Sequence, residues 1–515
     1  MVVPELKAWR AARPHVVRVA RTVKPQVVRV ARAVRPRPVR FTTPQLTAVA
    51  ATVGLALAAG AVAAAGPWDS SGQRTAERDW AASQGPEGGT DHGRTSDTSA
   101  RAPRPAPSAA TVLTGLGGAA NSVPAPAGRA LADVLDPLLA DPSLGRQRAA
   151  VVVDVATGKR LYDKGAGQSL TPASTTKIAT AAAALSAAGA DHRIRTRTVL
   201  EPGTKEVVLV GGGDPTLTAR RDAEGWASLR TLADRTAAAL KKRHLDEVTL
   251  SYDTSLYDGS ELHPIGRDAN LAPVVALMTD EARTDDSTSG TAIRSLDPAA
   301  DAAAKFADLL KDHGIKTTSP GLSKAGDHAE ALASVSSPPL SALVERMLTN
   351  SDNDIAEALA RQTALASGGR ADFQGGAAAI HAQLKKLEVP LKGADFHDGS
   401  GLDRADKLTA GLLTALLAEA GDPAHPELRP ILTGLPVAGF TGTLRDRYGN
   451  DISGTGVVRA KTGTLTGVNT LAGTVVDTDG RLLAFAFLAS DTTNRLTAQS
   501  ALDHTASALA ACGCR

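Results

Sequence analysis

Along the chain the pattern of apolar and polar positions changes character several times. The first forty residues interleave valine with arginine, and an eleven-residue unit recurs there, RPHVVRVARTV from Arg13 followed by KPQVVRVARAV from Lys24. Pro14, Pro25, Pro36 and Pro38 prevent one long helix in this arm. Leu46 to Gly66 then runs for about twenty residues without a charge, long enough for one membrane span. From Pro67 to about Ala127 apolar clusters all but vanish among Ser, Thr, Gly, Pro and charged residues, the pattern of a disordered spacer. Periodicity able to build a core begins near Leu131, where LADVLDPLLA spaces its leucines for a helix.

Beyond that point AAVVVDVATGKRLYDK predicts two strands joined by a tight turn at Thr157 and Gly158, and Ser174 to Ala188 predicts an alanine-rich helix. The last part of the chain mirrors this. VVRAKTGT, TLAGTVVDTDG and LLAFAFLAS read as three apolar strands, the last two joined at Asp479-Gly480, followed by a helix from Asn494 to Ala511. Strands at both ends with helices between them predict an α+β fold: one antiparallel sheet assembled from both termini, with helices packed on it. The expected organisation is a basic arm at 1–45, a signal or membrane-anchor segment at 46–66, a linker at 67–127, a catalytic domain at 128–190 and 297–515, and an inserted domain at 191–296.

Charge sharpens the picture of the arm and excludes one class of function. The net charge of +3 conceals eleven Lys/Arg between Lys7 and Arg40 against the single acid Glu5, so the remainder is about seven charges negative. A body of that sign does not suit nucleic acid. Under the positive-inside rule the arm stays in the cytoplasm and everything after the apolar segment is exported. That segment is either retained as an anchor or cleaved after Ala63 or Ala65. The two cysteines, Cys512 and Cys514, leave open a local bridge, an intermolecular bridge or free thiols. The eleven histidines are scattered without an H-E-x-x-H pattern, so neither a zinc peptidase nor any other cofactor chemistry is called for.

Candidate chemistry comes from three separated motifs. In TPASTTKIATAAAAL, Ser174 and Lys177 stand three apart at a helix start, so one turn puts both on the same face. A serine hydroxyl is a poor nucleophile until a neighbouring base takes its proton, and a desolvated lysine can serve. Ser351, Asp352 and Asn353 occupy a loop between two helical patterns. Lys461, Thr462, Gly463 and Thr464 lie on a strand, where lysine and threonine suit a carboxylate and glycine would let a substrate backbone approach the strand edge. Elsewhere GGGDP at Gly211 to Pro215 lacks the lysine of a phosphate-binding loop, and reads as a tight turn. DGSGLDR at Asp398 to Arg404 lacks the spacing of a nucleophile elbow, which makes Ser400 a loop residue near the cleft rather than a rival nucleophile.

S-x-x-K, S-D-N and K-T-G in this order are the motifs of penicillin-binding proteins and β-lactamases. With LVGGGDPTL at Leu209, DGSGLDR at Asp398, LPVAGFTGTLRDR at Leu435 and VRAKTGTLTGVNTLAG at Val458, the chain resembles the peptidase S13 family of D-Ala-D-Ala carboxypeptidases and endopeptidases over roughly residues 130 to 511. The resemblance implies a penicillin-binding/β-lactamase-like transpeptidase fold acting on peptidoglycan stem peptides and acylated by β-lactams. It implies Ser174 as nucleophile, Lys177 as general base, Ser351 as proton relay and Asn353 as a substrate-amide ligand. Lys461 would set the potential, Thr462 and Thr464 would hold the substrate carboxylate, and the N–H groups of Ser174 and Thr464 would form the oxyanion hole. Asp352 would hold the loop. The stretch between the first two motifs is short for the family, so one insert domain is expected intact and a second missing, with 279–298 in its place. Three rival readings are a β-lactamase, against which the S13-like phrases and the large insert argue, a membrane-bound penicillin-binding sensor that does not turn over, and a non-catalytic cell-wall-binding protein.

Overall fold

The computed structural model describes residues 125–223, 225–449 and 453–513. The basic arm, the apolar segment and all but the end of the spacer lie outside the described residues, as does Cys514. Among the described residues no helix is long and apolar enough to cross a membrane. Cys512 is buried and disulfide-bonded.

The chain opens with helix α1 (Gly128–Leu139), then strands β1 (Gln147–Asp154) and β2 (Arg160–Lys164), then helix α2 (Thr176–Ala188). Three strands near the C-terminus, β9 (Arg459–Leu465), β10 (Val468–Val476) and β11 (Leu482–Ser490), complete a five-stranded sheet of order β2-β1-β11-β10-β9. Every pairing in it is antiparallel, and β1 lies directly against β11, so the two ends of the catalytic unit meet in the centre of one sheet.

Alternation along the central strands divides the core into two layers. Ala150 and Val152 of β1, with Phe485 and Phe487 of β11, face a layer closed by Leu131 and Leu135 of α1 and by Leu502 and Leu509 of the last helix, α9 (Arg495–Ala510). Val151 and Val153, with Ala484, Ala486 and Leu488, face the opposite layer. That layer is filled by α2, α5 (Leu340–Asn350), α6 (Asn353–Ala366), α7 (Phe373–Lys386) and α8 (Ala410–Gly421). The sheet is therefore covered on both faces, which is why β11 reads as an unbroken apolar run rather than as alternating polar and apolar positions.

A second sheet interrupts this unit. It is built from β3 (Arg195–Leu200), β4 (Glu206–Val210), β5 (Glu247–Asp253), β6 (Lys316–Thr317), β7 (Gly321–Leu322) and β8 (Glu330–Ser336). Helices α3 (Leu229–Lys241) and α4 (Pro298–Asp312) belong to the same part of the chain. The expected boundary of the insert at 296 is corrected by this arrangement. Phe306 and Leu310 of α4 sit in one core with Val207, Leu209 and Leu232, and β8 pairs with β3 along its whole length, so the insert closes only at Ser336. The segment between β5 and α4 has no long strand or helix of its own. Its loops carry the buried residues His263, Glu281, Arg283 and Arg294 towards the catalytic motifs.

Phe485 is fully buried in the central strand and stacks on Phe487 with ring centroids 4.9 Å apart. Phe485→Ala is expected to lower unfolding stability by about 3–5 kcal/mol, read from the denaturant midpoint of the full chain.

Candidate active site

Ser174 sits in a turn of 3-10 helix, Ala173–Thr175, that leads directly into α2. Ala173 before it is left-handed, with φ 49°, the kind of strained residue that marks functional turns. Gly463 explains how the turn reaches β9. A Cβ at this position would lie 2.1 Å from the Thr470 Oγ1 of β10, 2.6 Å from Pro172 O and 3.2 Å from the Ala173 Cβ, so glycine admits both the neighbouring strand's hydroxyl and the Ser174 turn against β9. That close packing inside the protein is one reason the third motif carries a glycine.

Lys177 follows one turn later and is fully buried. Its Nζ lies 3.1 Å from Ser174 Oγ, 2.6 Å from Asn353 Oδ1 and 2.7 Å from the carbonyl oxygen of Ser400. A neutral amine has two hydrogens and one lone pair. Asn353 and Ser400 accept the two hydrogens, leaving the lone pair for the Ser174 hydroxyl. Burial pushes the Lys177 ammonium down to about 8, against the opposing pull of Asp398, Glu357, Asp352 and Asp406.

On the facing wall Ser351 ends α5 in the left-handed conformation, φ 58° and ψ 40°. This kink turns its hydroxyl toward Lys461, whose buried Nζ donates to Ser351 Oγ and to the carbonyl of Thr462, both at 2.8 Å. Burial first, and then the nearby Lys177 charge, holds Lys461 well below the usual lysine range. Asp352 caps α6 by accepting from the Ile355 N–H at 3.0 Å, which fixes the loop between its two polar neighbours. Thr462 donates to the hydroxyl of Thr443 at 2.9 Å, and the exposed Thr464 hydroxyl accepts from Gln499 at 3.2 Å. Because β9 is the edge of its sheet, its outer side is unpaired by any strand beyond Ala460, whose N–H is taken by Pro436 O.

Ser174, Ser351, Asn353, Thr462 and Thr464 line one cleft of about 640 Å³. Lys177 and Lys461 sit behind its floor, and Gly463 is buried beneath it. All nine residues singled out in the three motifs are thus brought to one place, from the turn and start of α2, the α5–α6 junction and β9.

The profile of the D-Ala-D-Ala carboxypeptidase 3 (S13) family matches residues 131–289 and 282–509. The chain belongs to this S13 family. It is similar to the carboxypeptidase DacB of Mycolicibacterium smegmatis, 36% identical over 440 residues that cover 82% of this chain and 92% of that protein. The D-alanyl-D-alanine carboxypeptidase of an Actinomadura species is 30% identical over 430 residues, covering 68% of this chain and 79% of that one. In fold it is similar to the crystal structure of penicillin-binding protein 4 from Haemophilus influenzae, with a TM-score of 0.59 at 21% identity over 73% of this chain and 97% of that one.

Several residues of this S13 site were not found by sequence reasoning. Asp398 is a fully buried carboxylate that gathers the loop 398–403 around itself, accepting from the N–H groups of Ser400, Gly401 and Asp403, from the Ser400 hydroxyl and from His263 Nε2 at 3.0 Å. Burial would raise its pKa, but these donors outweigh it and hold the group at about 2. Glu357 accepts from the N–H groups of Gly399 and Ser400, and burial and the Asp398 charge push its pKa up. The same two causes raise Asp406 to about 10. Asp398 and Glu357 together fix the Ser400 carbonyl that grips Lys177. Ser400 itself is fully buried, with its hydroxyl on Asp398, which places it as support rather than as a nucleophile. Glu357, four residues beyond Asn353 on α6, had a signal in that spacing. His263 and Asn270, which come from the insert, had none.

Among the described residues two groups of three ligand atoms come within 4.8 Å of one another: His263, Glu357 and Asp398, and Glu281, Asp352 and Asp354. Their oxygens are engaged by N–H and guanidinium donors, Asp354 for example by the Ala272 N–H and Arg294, both at 2.8 Å. Both groups work as hydrogen-bond hubs.

Gly463→Ala is expected to push the Ser174 turn off β9, costing about 1–3 kcal/mol in stability through overpacking. The rate at which a β-lactam acylates each folded molecule should fall at least about tenfold, as displacement of a reacting group by an ångström or less can do. Denaturation midpoint and stopped-flow acylation check the two effects separately.

Proposed function

We propose that this S13 family member is a serine-type D-Ala-D-Ala carboxypeptidase that cleaves peptidoglycan stem peptides through an acyl-enzyme on Ser174, and that β-lactams acylate the same hydroxyl. The observation that carries the proposal is the contact of the Ser174 hydroxyl with a fully buried lysine whose other two acceptors are fixed by the fold.

Neutral Lys177 accepts the Ser174 proton as Oγ attacks the carbonyl carbon of the penultimate D-Ala. The resulting oxyanion is met by the N–H groups of Ser174 and Thr464. Ser351 passes its hydroxyl proton to the leaving amine and takes one back from Lys461, whose Nζ donates to its oxygen at 2.8 Å. Departure of D-Ala breaks the C–N bond and leaves the acyl ester, which water hydrolyses in the second half of the cycle. Asn353 binds the substrate amide, while Thr462 and Thr464, beside the Lys461 charge, hold the terminal carboxylate. The exposed residues Arg495 and Leu496 line the same cleft as Thr464, and a leaving group longer than one residue fits the same reading.

The arm and apolar segment support an exported enzyme. It works at the outer face of the cell membrane if 46–66 is retained and in the cell wall if it is cleaved.

Incubating the full chain with a peptide ending in Lys-D-Ala-D-Ala is expected to release free D-Ala, and Ser174→Ala is expected to release none above background. Lys177→Ala should slow release by about 10²–10⁴-fold, the range of general-base contributions. Equal release by wild type and Ser174→Ala would overturn the proposal. Stable β-lactam labelling of Ser174 with no D-Ala release would favour the sensor.

A further inference from the structure

Between the insert and the catalytic wall lies a backbone feature that the proposed reaction does not use. Asp280, Glu281 and Ala282 have φ of 55°, 55° and 54°, three consecutive left-handed residues with no glycine among them. Such a turn persists only where its surroundings over-determine it, and strain of this kind gathers at functional sites.

What the turn presents is the side chain of Glu281, which is 2% exposed. Its Oε2 accepts from Arg283 Nε at 2.8 Å and its Oε1 from Arg346 Nη2 of α5 at 2.9 Å. Its third neighbour is another acid, Asp352, within hydrogen-bonding reach. Two carboxyl groups bond to each other only when one keeps its proton. Asp352 already caps α6, its Oδ1 accepting from the Ile355 N–H at 3.0 Å. The proton therefore falls to Glu281, which burial, and then the Asp352 charge, push up to about 7.

Asp352 stands between the two side chains that matter on this wall, Ser351 against Lys461 and Asn353 against Lys177. Other contacts from the insert grip the same loop: Asn353 Nδ2 donates to Asn270 O at 3.0 Å, and Asp354 is held by Ala272 N and Arg294. Glu281 is the contact that reaches the residue between them. We propose that Glu281 is a positioning residue for the reaction: the left-handed turn holds its protonated carboxyl on Asp352, and that hydrogen bond fixes the Ser351–Asn353 loop in register with the two lysines. The insert is in this view part of the catalytic machinery and not only a spacer or a docking module.

The inference rests on acylation at Ser174, and its test separates the two. In the full chain, titration with a chromogenic β-lactam counts competent sites, and stopped-flow mixing at neutral pH gives the acylation rate per site. Glu281→Gln keeps an N–H that donates to Asp352 and an oxygen for one of the two arginines, giving up the other arginine contact, and is expected to acylate within about threefold of wild type because the Asp352 contact is the one that sets the loop. Glu281→Asp keeps the acid but is one methylene too short to reach, and is expected to be at least about tenfold slower per competent site, the scale set by small misplacements of catalytic groups. A purely structural role would lower the number of competent sites in both variants and leave the rate per site alone. Wild-type rate per site in Glu281→Asp, or equal slowing in both variants, overturns the inference while Ser174→Ala remains unlabelled. Labelling of Ser174→Ala at the wild-type rate removes the acylation reading and this inference together.

Discussion

The site depends on one buried amine. Lys177 has no access to water, and a lysine in that position cannot keep its charge at the usual energetic balance unless acceptors replace the solvent it has lost. Two acceptors are supplied, Asn353 Oδ1 and the Ser400 carbonyl, and the third direction is the Ser174 hydroxyl. Desolvation thus converts a strong, permanently charged cation into a base suited to work near neutral pH. Lys461, equally buried, lies close enough for the two ammonium groups to disfavour each other, which pushes the pair further towards carrying fewer than two charges.

Holding that amine takes most of the catalytic unit. The loop 398–403 delivers the Ser400 carbonyl only because Asp398 and Glu357 collect its N–H groups from the inside. Two left-handed residues, Ala173 and Ser351, put the facing serines on sharp turns, and Gly463 lets the first of these turns lie against β9. The insert closes the arrangement from the side through His263, Asn270, Glu281 and Arg294.

The parts legible in the sequence share a physical character: they are local. Ser174 and Lys177 are one helical turn apart, the β9 to β11 strands announce themselves by continuous apolar runs, and Asp479-Gly480 marks its turn. The meeting of β1 with β11 followed from apolar strands at both ends of the unit. Contacts made by chain-distant residues were not legible. Nothing around His263 or in TDEART distinguishes a polar loop from a catalytic support, because the partners lie far along the chain. The insert's end was misplaced for a similar reason, since the pairing of β8 with β3 joins residues far apart and α4 looks like an ordinary amphipathic helix. Gly463 signals a close approach on a strand without saying of what, and only the fold shows Thr470 and the Pro172–Ala173 turn packed against it.

The central claim is that burial brings Lys177 down far enough for its neutral form to serve as the base near working pH. Its side chain can be observed directly by carbon-13 NMR of the full chain labelled in lysine, with Lys177→Arg to assign the signal. The account predicts that the Lys177 resonance titrates near pH 8, apart from the surface lysines, and that acylation of Ser174 by a β-lactam rises with the same midpoint. Titration of Lys177 above pH 10 together with the other lysines would contradict it.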